Sequence, residues 1–256
     1  MSFEFQLRLK ASSQFGPHTQ FKKRRPTLMK SIADNINLVR QRINNAKKKA
    51  GRSEQPILLL AISKTKSAAH VREAWAAGLK HFGENYVQEA QGKLAELADL
   101  DLSWHFTGPI QTNKTRWIAE HCTWAHTIDR LKIAQRLSNQ RPMEQQPLNV
   151  CIQININSEA AKAGIKPTEL ADMAKQINAL PRLKLRGLMC LPDPRQTELE
   201  LHQTFANMRK LFEQTAQSLP DMDTLSMGMS RDLETAILEG STLVRVGTDI
   251  FGPRQK

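Results

Sequence analysis

Residues 57–83 read ILLLAISKTKSAAHVREAWAAGLKHFG, and the fold turns on this stretch. It opens on an unbroken apolar run, Ile57 to Ile62, of the kind shown by a strand buried on both faces. A helical stretch around Val71 to Ala77 follows, and then a second β-rich run, LKHFG (79–83). Two such runs separated by a helix imply parallel strands joined by a crossover.

The same alternation continues to the end of the chain. LKHFG precedes a helix from Tyr86 to Ala98, and LSWHFTG (102–108) precedes one near Lys114 to Glu120. TWAHTI (123–128) leads to Arg130–Leu137, LNVCIQIN (148–155) to Thr168–Ala179, and LKLRGLMC (183–190) to a long pattern from Glu198 to Gln217. The last two units are TLSMG (224–228) with Asp232–Leu238, and LVRVG (243–247) with a brief closing segment. Eight strand–helix units with short connections predict a single α/β domain, a TIM-type (β/α)8 barrel of roughly 250 residues. A doubly wound open sheet would use fewer strands. Upstream, Ile32, Ile36, Val39 and Ile43 recur at spacings of three and four. They predict an additional N-terminal helix, with Lys47 to Lys49 complementing the dipole at its end.

The net charge of +12 belongs to one end of the chain. Residues 1–52 hold thirteen Lys and Arg against two acidic residues, a net of +11, and the remainder is nearly neutral. Residues 1–28 show no sustained period and carry a KKRR run at Lys22 to Arg25. They are read as a basic extension without structure of its own, or as translation assigned to start upstream of Met29; a tether or a transit peptide are the other readings. The domain proper is then 29–256. A neutral body without a basic stripe argues against nucleic-acid and membrane partners. The longest apolar run falls far short of the ~18 residues of a membrane span. Cys122, Cys151 and Cys190 are scattered, which suggests reduced thiols, a cytoplasmic setting and no metal site.

In a barrel of this kind the chemistry gathers at the carboxyl ends of the strands, with phosphate held after strands 7 and 8. SMGMS (226–230) and RVGT (245–248) stand there. Gly228 and Gly247 allow close approach of backbone to an anion, and Ser230 and Thr248 add hydroxyl donors. Lys64, in AISKTK after strand 1, is a candidate Schiff-base nucleophile, and Lys66 shares its facing by strand alternation. Strands 7 and 8 adjoin strand 1 in a closed barrel, so a phosphorylated aldehyde could meet both. Pyridoxal 5′-phosphate (PLP) and sugar phosphates satisfy that description. Other chemistries lack their motifs: there is no HExxH, no GxxxxGK[ST], no GxGxxG after a strand and no GxSxG. Glu84 and Glu89 are read as capping or solvating the helix after strand 2, and Met189 and Cys190 as barrel packing.

The stretches AISKTK, FGENYVQEA, WHFTGPIQTNK, TIDRLKIAQRL, LNVCIQIN, LRGLMC, DTLSMGMS and VRVGTDIFG resemble the pyridoxal phosphate homeostasis protein family, from about Met29 to Arg254. The resemblance implies a monomeric PLP fold-type III barrel, similar to the N-terminal domain of alanine racemase. It also implies intracellular PLP storage or delivery, with PLP-dependent apoenzymes as partners, and no established turnover, hence no catalytic residues. Carried over by position, it implies that Lys64 rather than Lys66 holds PLP as a Schiff base. Ser230, Gly247 and Thr248 contact the phosphate, Gly228 shapes the turn, and Arg245 faces the pyridine nitrogen. Asn85 and His105 match motif positions and are read as pocket lining, a structural role being the other reading of His105. Arg231 departs from the family pattern, which often has an acidic residue there; NSEAAKAG (157–164) departs in its alanines but keeps Lys162 and Gly164. An amino-acid racemase is the alternative function. It needs an acid/base on each face of the cofactor, and the only tyrosine is Tyr86.

Overall fold

The computed structural model describes residues 31–157 and 163–253. The basic extension, Lys162 and the last three residues lie outside these. Eight parallel strands close into a barrel in sequence order. They are β1 (Leu58–Ile62), β2 (His81–Glu84), β3 (Ser103–Phe106), β4 (Trp124–Ile128), β5 (Leu148–Ile154), β6 (Leu183–Cys190), β7 (Thr224–Met229) and β8 (Leu243–Val246). β8 pairs with β1 through Leu58↔Leu243 to Ala61↔Val246, which completes the ring.

The helices are α1 (Ile32–Lys49), α2 (Ala68–Ala76), α3 (Val87–Glu96), α4 (Thr115–His121), α5 (Leu131–Gln140), α6 (Leu170–Asn178), α7 (Glu198–Ala216), α8 (Leu233–Leu238) and α9 (Thr248–Phe251). Their apolar stripes cover the barrel wall; in α5, Ile133, Ala134 and Leu137 are fully buried. The N-terminal helix α1 starts on a capping box, in which the Ser31 hydroxyl accepts from the Asp34 N–H and the Asp34 carboxylate accepts from the Ser31 N–H. It buries Ile36, Val39 and Ile43. All three cysteines are buried and free, and burial pushes each thiol up to about 12. That makes them packing groups, not nucleophiles.

Two irregularities aim the site. The β7–β8 register shifts between Ser226↔Leu243 and Met229↔Arg245, so β7 spends one residue more than β8. Gly228 lies in that bulge with φ +94°, a backbone conformation natural to glycine. A Cβ added there would lie 2.6 Å from the Ala236 Cβ. After β1 the strand alternation ends, because Thr65 takes φ +64°.

Candidate functional site

A cleft of about 420 Å³ opens at the carboxyl ends of the strands. Lys64, Asn85, Ser230, Arg245, Gly247 and Thr248 line it, so six of the eight sequence-derived positions converge. Gly228 stands just behind, shaping the turn that carries Ser230. His105 does not reach the cleft. It is buried inside the barrel on β3, where its ring bonds His81 and His126, and this corrects its reading as pocket lining.

Lys64 and Lys66, which alternation could not separate, part company here. The Lys66 ammonium donates to the carbonyls of Phe251, Gly252 and Pro253, at the end of α9, at 2.9–3.2 Å. Its role is to tie down that terminus. Lys64 faces the cleft, and its two neighbours in the chain are both clamped. The Lys93 ammonium donates to the Ser63 carbonyl at 2.6 Å and to Glu84 and Glu89 at 2.8 and 2.7 Å. Ser63 donates its hydroxyl to Glu84 at 2.6 Å, and Glu89 accepts the Thr65 N–H. Burial pushes the Glu84 carboxyl up, and the nearby Lys93 opposes this. Glu84 and Glu89 thus form a shared, largely buried ion cluster, which corrects their reading as helix-capping or solvated groups. The sequence did carry a signal: Lys93 continues the buried stripe Val87, Ala90 of α3, a place where lysine needs a partner.

The two glycine turns are braced by α1. Arg42 pairs with Glu234 of α8 and Asp249 of α9, and donates to the Ser230 carbonyl at 2.8 Å. Its contact with Glu234, then those with Asp249, raise its pKa against the opposing effect of partial burial. Gly247 leaves room for the Ile62 carbonyl, which a Cβ would meet at 3.1 Å. The Gly247 carbonyl accepts from Ile250 and Phe251, so Thr248 and Asp249 fall in the first turn of α9, whose N–H groups have no partner within the helix.

Arg245 is the most unusual group in the cleft. It is fully buried, and burial pulls its pKa down. Among the described residues no carboxylate forms an ion pair with it. Its Nη1 donates to the Ser226 carbonyl and hydroxyl at 2.7 and 2.8 Å, and Nη2 to the Cys190 carbonyl at 2.9 Å. Asp232, also lining the cleft, accepts the Met229 N–H; burial raises its carboxyl pKa. A buried guanidinium hydrogen-bonded by neutral acceptors, with the Asp232 carboxylate acting on it only through its charge, is poised at the wall of a cleft for an electron-rich ligand atom. Met189, read as packing alone, is buried yet contributes to the cleft wall, while Cys190 stays behind it and offers its carbonyl to Arg245.

Comparisons with known proteins agree with this arrangement. A family model for the N-terminal domain of alanine racemase matches residues 29–255. Alanine racemase of Clostridium difficile 630 shares 14% identity at a TM-score of 0.65, covering 87% of this chain and 58% of that one, which supports the fold alone. The fold and cleft therefore define a barrel of the alanine racemase N-terminal class.

Within that class the relatives are more particular. The "Pyridoxal phosphate homeostasis protein" of Pseudomonas aeruginosa is 57% identical over 226 residues, covering 88% of this chain and 97% of that protein. Its namesake in Escherichia coli K12 is 50% identical over 229 residues, covering 88% and 98%. The structure of PipY from Synechococcus elongatus PCC7942 with PLP bound shares 37% identity at a TM-score of 0.75, covering 87% of this chain and all of that one. The chain belongs to the pyridoxal phosphate homeostasis protein family.

Proposed function

We propose that this protein binds PLP covalently through Lys64 and acts in intracellular PLP homeostasis, storing the cofactor and delivering it to PLP-dependent apoenzymes without efficient turnover. The observation that carries the reading is that Lys64 and buried Arg245 line one cleft together. The donor set fits the cofactor: an amine for its aldehyde, two hydroxyls and glycine-flanked backbone for its phosphate, and a guanidinium for its ring nitrogen. Bound PLP supplies an electron-withdrawing pyridine ring.

The protein's residues determine how much of that capacity is used. Arg245 donates and never accepts, so a ring nitrogen facing it accepts a hydrogen bond and stays unprotonated. That weakens the ring as an electron sink and suits a carrier. Ser230 and Thr248 orient the phosphate, Asn85 lines the cleft at the end of β2, and the Lys93 cluster holds the backbone on either side of Lys64. Tyr86 is exposed and does not line the cleft, which disfavours the two-base racemase alternative. We place the protein in the cytoplasm as a monomer, with residues 29–256 sufficient for the function. Among the described residues, no helix is long and apolar enough to cross a membrane.

Two assays test this together. Titration with PLP should produce a visible absorbance band that Lys64→Ala abolishes. Loaded protein mixed with a PLP-requiring apoenzyme should restore that enzyme's activity. A band retained by Lys64→Ala would move the attachment to another lysine, and a loaded protein that activates no apoenzyme would remove delivery from the account.

A further inference from the structure

A chain of hydrogen bonds crosses the barrel interior and ends on Arg245. Starting at the amino end of β2, half-buried His81 bonds the His105 ring of β3 (Nδ1 to Nε2, 3.0 Å). His105 bonds the His126 ring of β4 (Nδ1 to Nε2, 2.9 Å). His126 Nδ1 meets the Ser226 hydroxyl of β7 at 3.0 Å, and that hydroxyl accepts from Arg245 of β8. His105, His126 and Ser226 are buried, and Trp124 stacks on His105 with an interplanar angle of 5°. His126 and Ser226, bonded here, lie 100 residues apart in the sequence.

The proton positions follow from one asymmetry. Arg245 can only donate, so the Ser226 oxygen accepts from it and has its own O–H free to give. The only acceptor bonded to that hydroxyl among the described residues is His126 Nδ1. His126 is then protonated on Nε2 and donates to His105 Nδ1. By the same step His105 is protonated on Nε2 and donates to His81 Nδ1. From the Ser226 hydroxyl to His105 Nε2 each donor finds an acceptor, with the Ser103 hydroxyl also 3.5 Å from His105 Nε2, and all three imidazoles are neutral. Burial, which holds the pKa values of His105 and His126 far below the usual histidine value, agrees with this.

We propose that His126, oriented by His105 and His81, is a positioning residue for the cleft: it fixes the Ser226 hydroxyl as an acceptor and so sets where the Arg245 guanidinium stands toward the ligand. The proposal rests on the PLP reading for its ligand, but the ladder can be examined in the ligand-free protein as well.

The experiment compares wild type, Ser226→Ala, His126→Gln and Arg245→Gln, and the two double variants carrying Arg245→Gln. Far-UV circular dichroism checks folding. The first readout is PLP affinity by equilibrium dialysis, with the absorbance maximum of the loaded protein. Ser226→Ala and His126→Gln should each weaken binding about tenfold and shift the maximum. Neither should add anything once Arg245 is already Gln, because both act through it. The second readout is the guanidinium NMR signal of Arg245 without PLP, which should be sharp in wild type and broadened in both single variants. Unchanged signals and affinities in folded variants, or effects that add to Arg245→Gln, would overturn the proposal. Should Ser226→Ala fail to fold, His126→Gln alone decides. Wild type that binds no PLP would refute the proposed function, while the NMR readout would still judge the ladder.

Discussion

The buried histidines make the barrel acid-labile by an amount that can be worked out. His126 has its pKa lowered to about 3 by burial and by the charge of Arg245. His105 is held well below the usual value by burial, then by His126 and His81. In the unfolded chain each returns to about 6.5. Above that value both states are neutral and nothing is lost. Below it the unfolded chain takes up protons that the folded one refuses, so stability falls as pH falls, until the folded pKa is reached. The slope is about 1.4 kcal/mol per pH unit, which amounts to about 2 kcal/mol for His126 at pH 5, with His105 acting in the same direction. The His126 share alone is a sizeable part of the roughly 5–15 kcal/mol that stabilises a typical domain. Glu84 and Asp232, whose carboxyl pKa values burial raises, act in the opposite sense. The double variant His105→Gln/His126→Gln separates the contributions, since it keeps those carboxyls. Urea unfolding of both apoproteins at pH 7.5 and pH 5 is the assay. Wild type should lose at least about 2 kcal/mol more than the variant between the two pH values. Equal losses would refute the assignment of neutral, proton-refusing histidines.

Three substitutions test the scaffold around the cleft. Lys93→Met leaves Glu84 and Glu89 without their shared cation, and should cost roughly 3–5 kcal/mol in denaturant unfolding, with part recovered when Glu84→Gln is added. Gly228→Ala forces a left-handed φ on alanine and drives its Cβ against Ala236; it should cost roughly 1–3 kcal/mol and weaken phosphate capture, read as PLP or inorganic phosphate affinity. Arg42→Ala releases the contacts from α1 to α8, α9 and the Ser230 carbonyl. Because Arg42 is partly exposed the stability loss should be only about 1 kcal/mol, yet PLP affinity should fall several-fold.

The eight-unit plan was legible because parallel strands buried on both faces read as apolar runs and their helices as stripes. LKLRGLMC gave β6 to the residue, and the closing segment proved to be α9. The cleft was legible to the extent that strand ends name their own residues: Ser230, Gly247 and Thr248 follow directly from topology, and Lys64 follows as one of two candidates. What lay beyond the sequence depends on closure and on backbone departures from regularity. Alternation could not choose between Lys64 and Lys66, since β1 ends at Ile62 and Thr65 reverses the chain's sense. The histidine ladder needs β4 to face β7 across the barrel, a juxtaposition with no local trace. His105 was therefore noticed for its motif and assigned to the wrong level of the barrel.

Borohydride reduction of PLP-loaded protein, followed by peptide mass mapping, tests the central claim most directly. The account predicts a single pyridoxyl adduct, on Lys64, and no adduct on Lys66, whose amine is bonded to the carbonyls of residues 251–253. An adduct confined to another lysine, or none at all at saturating PLP, would contradict it.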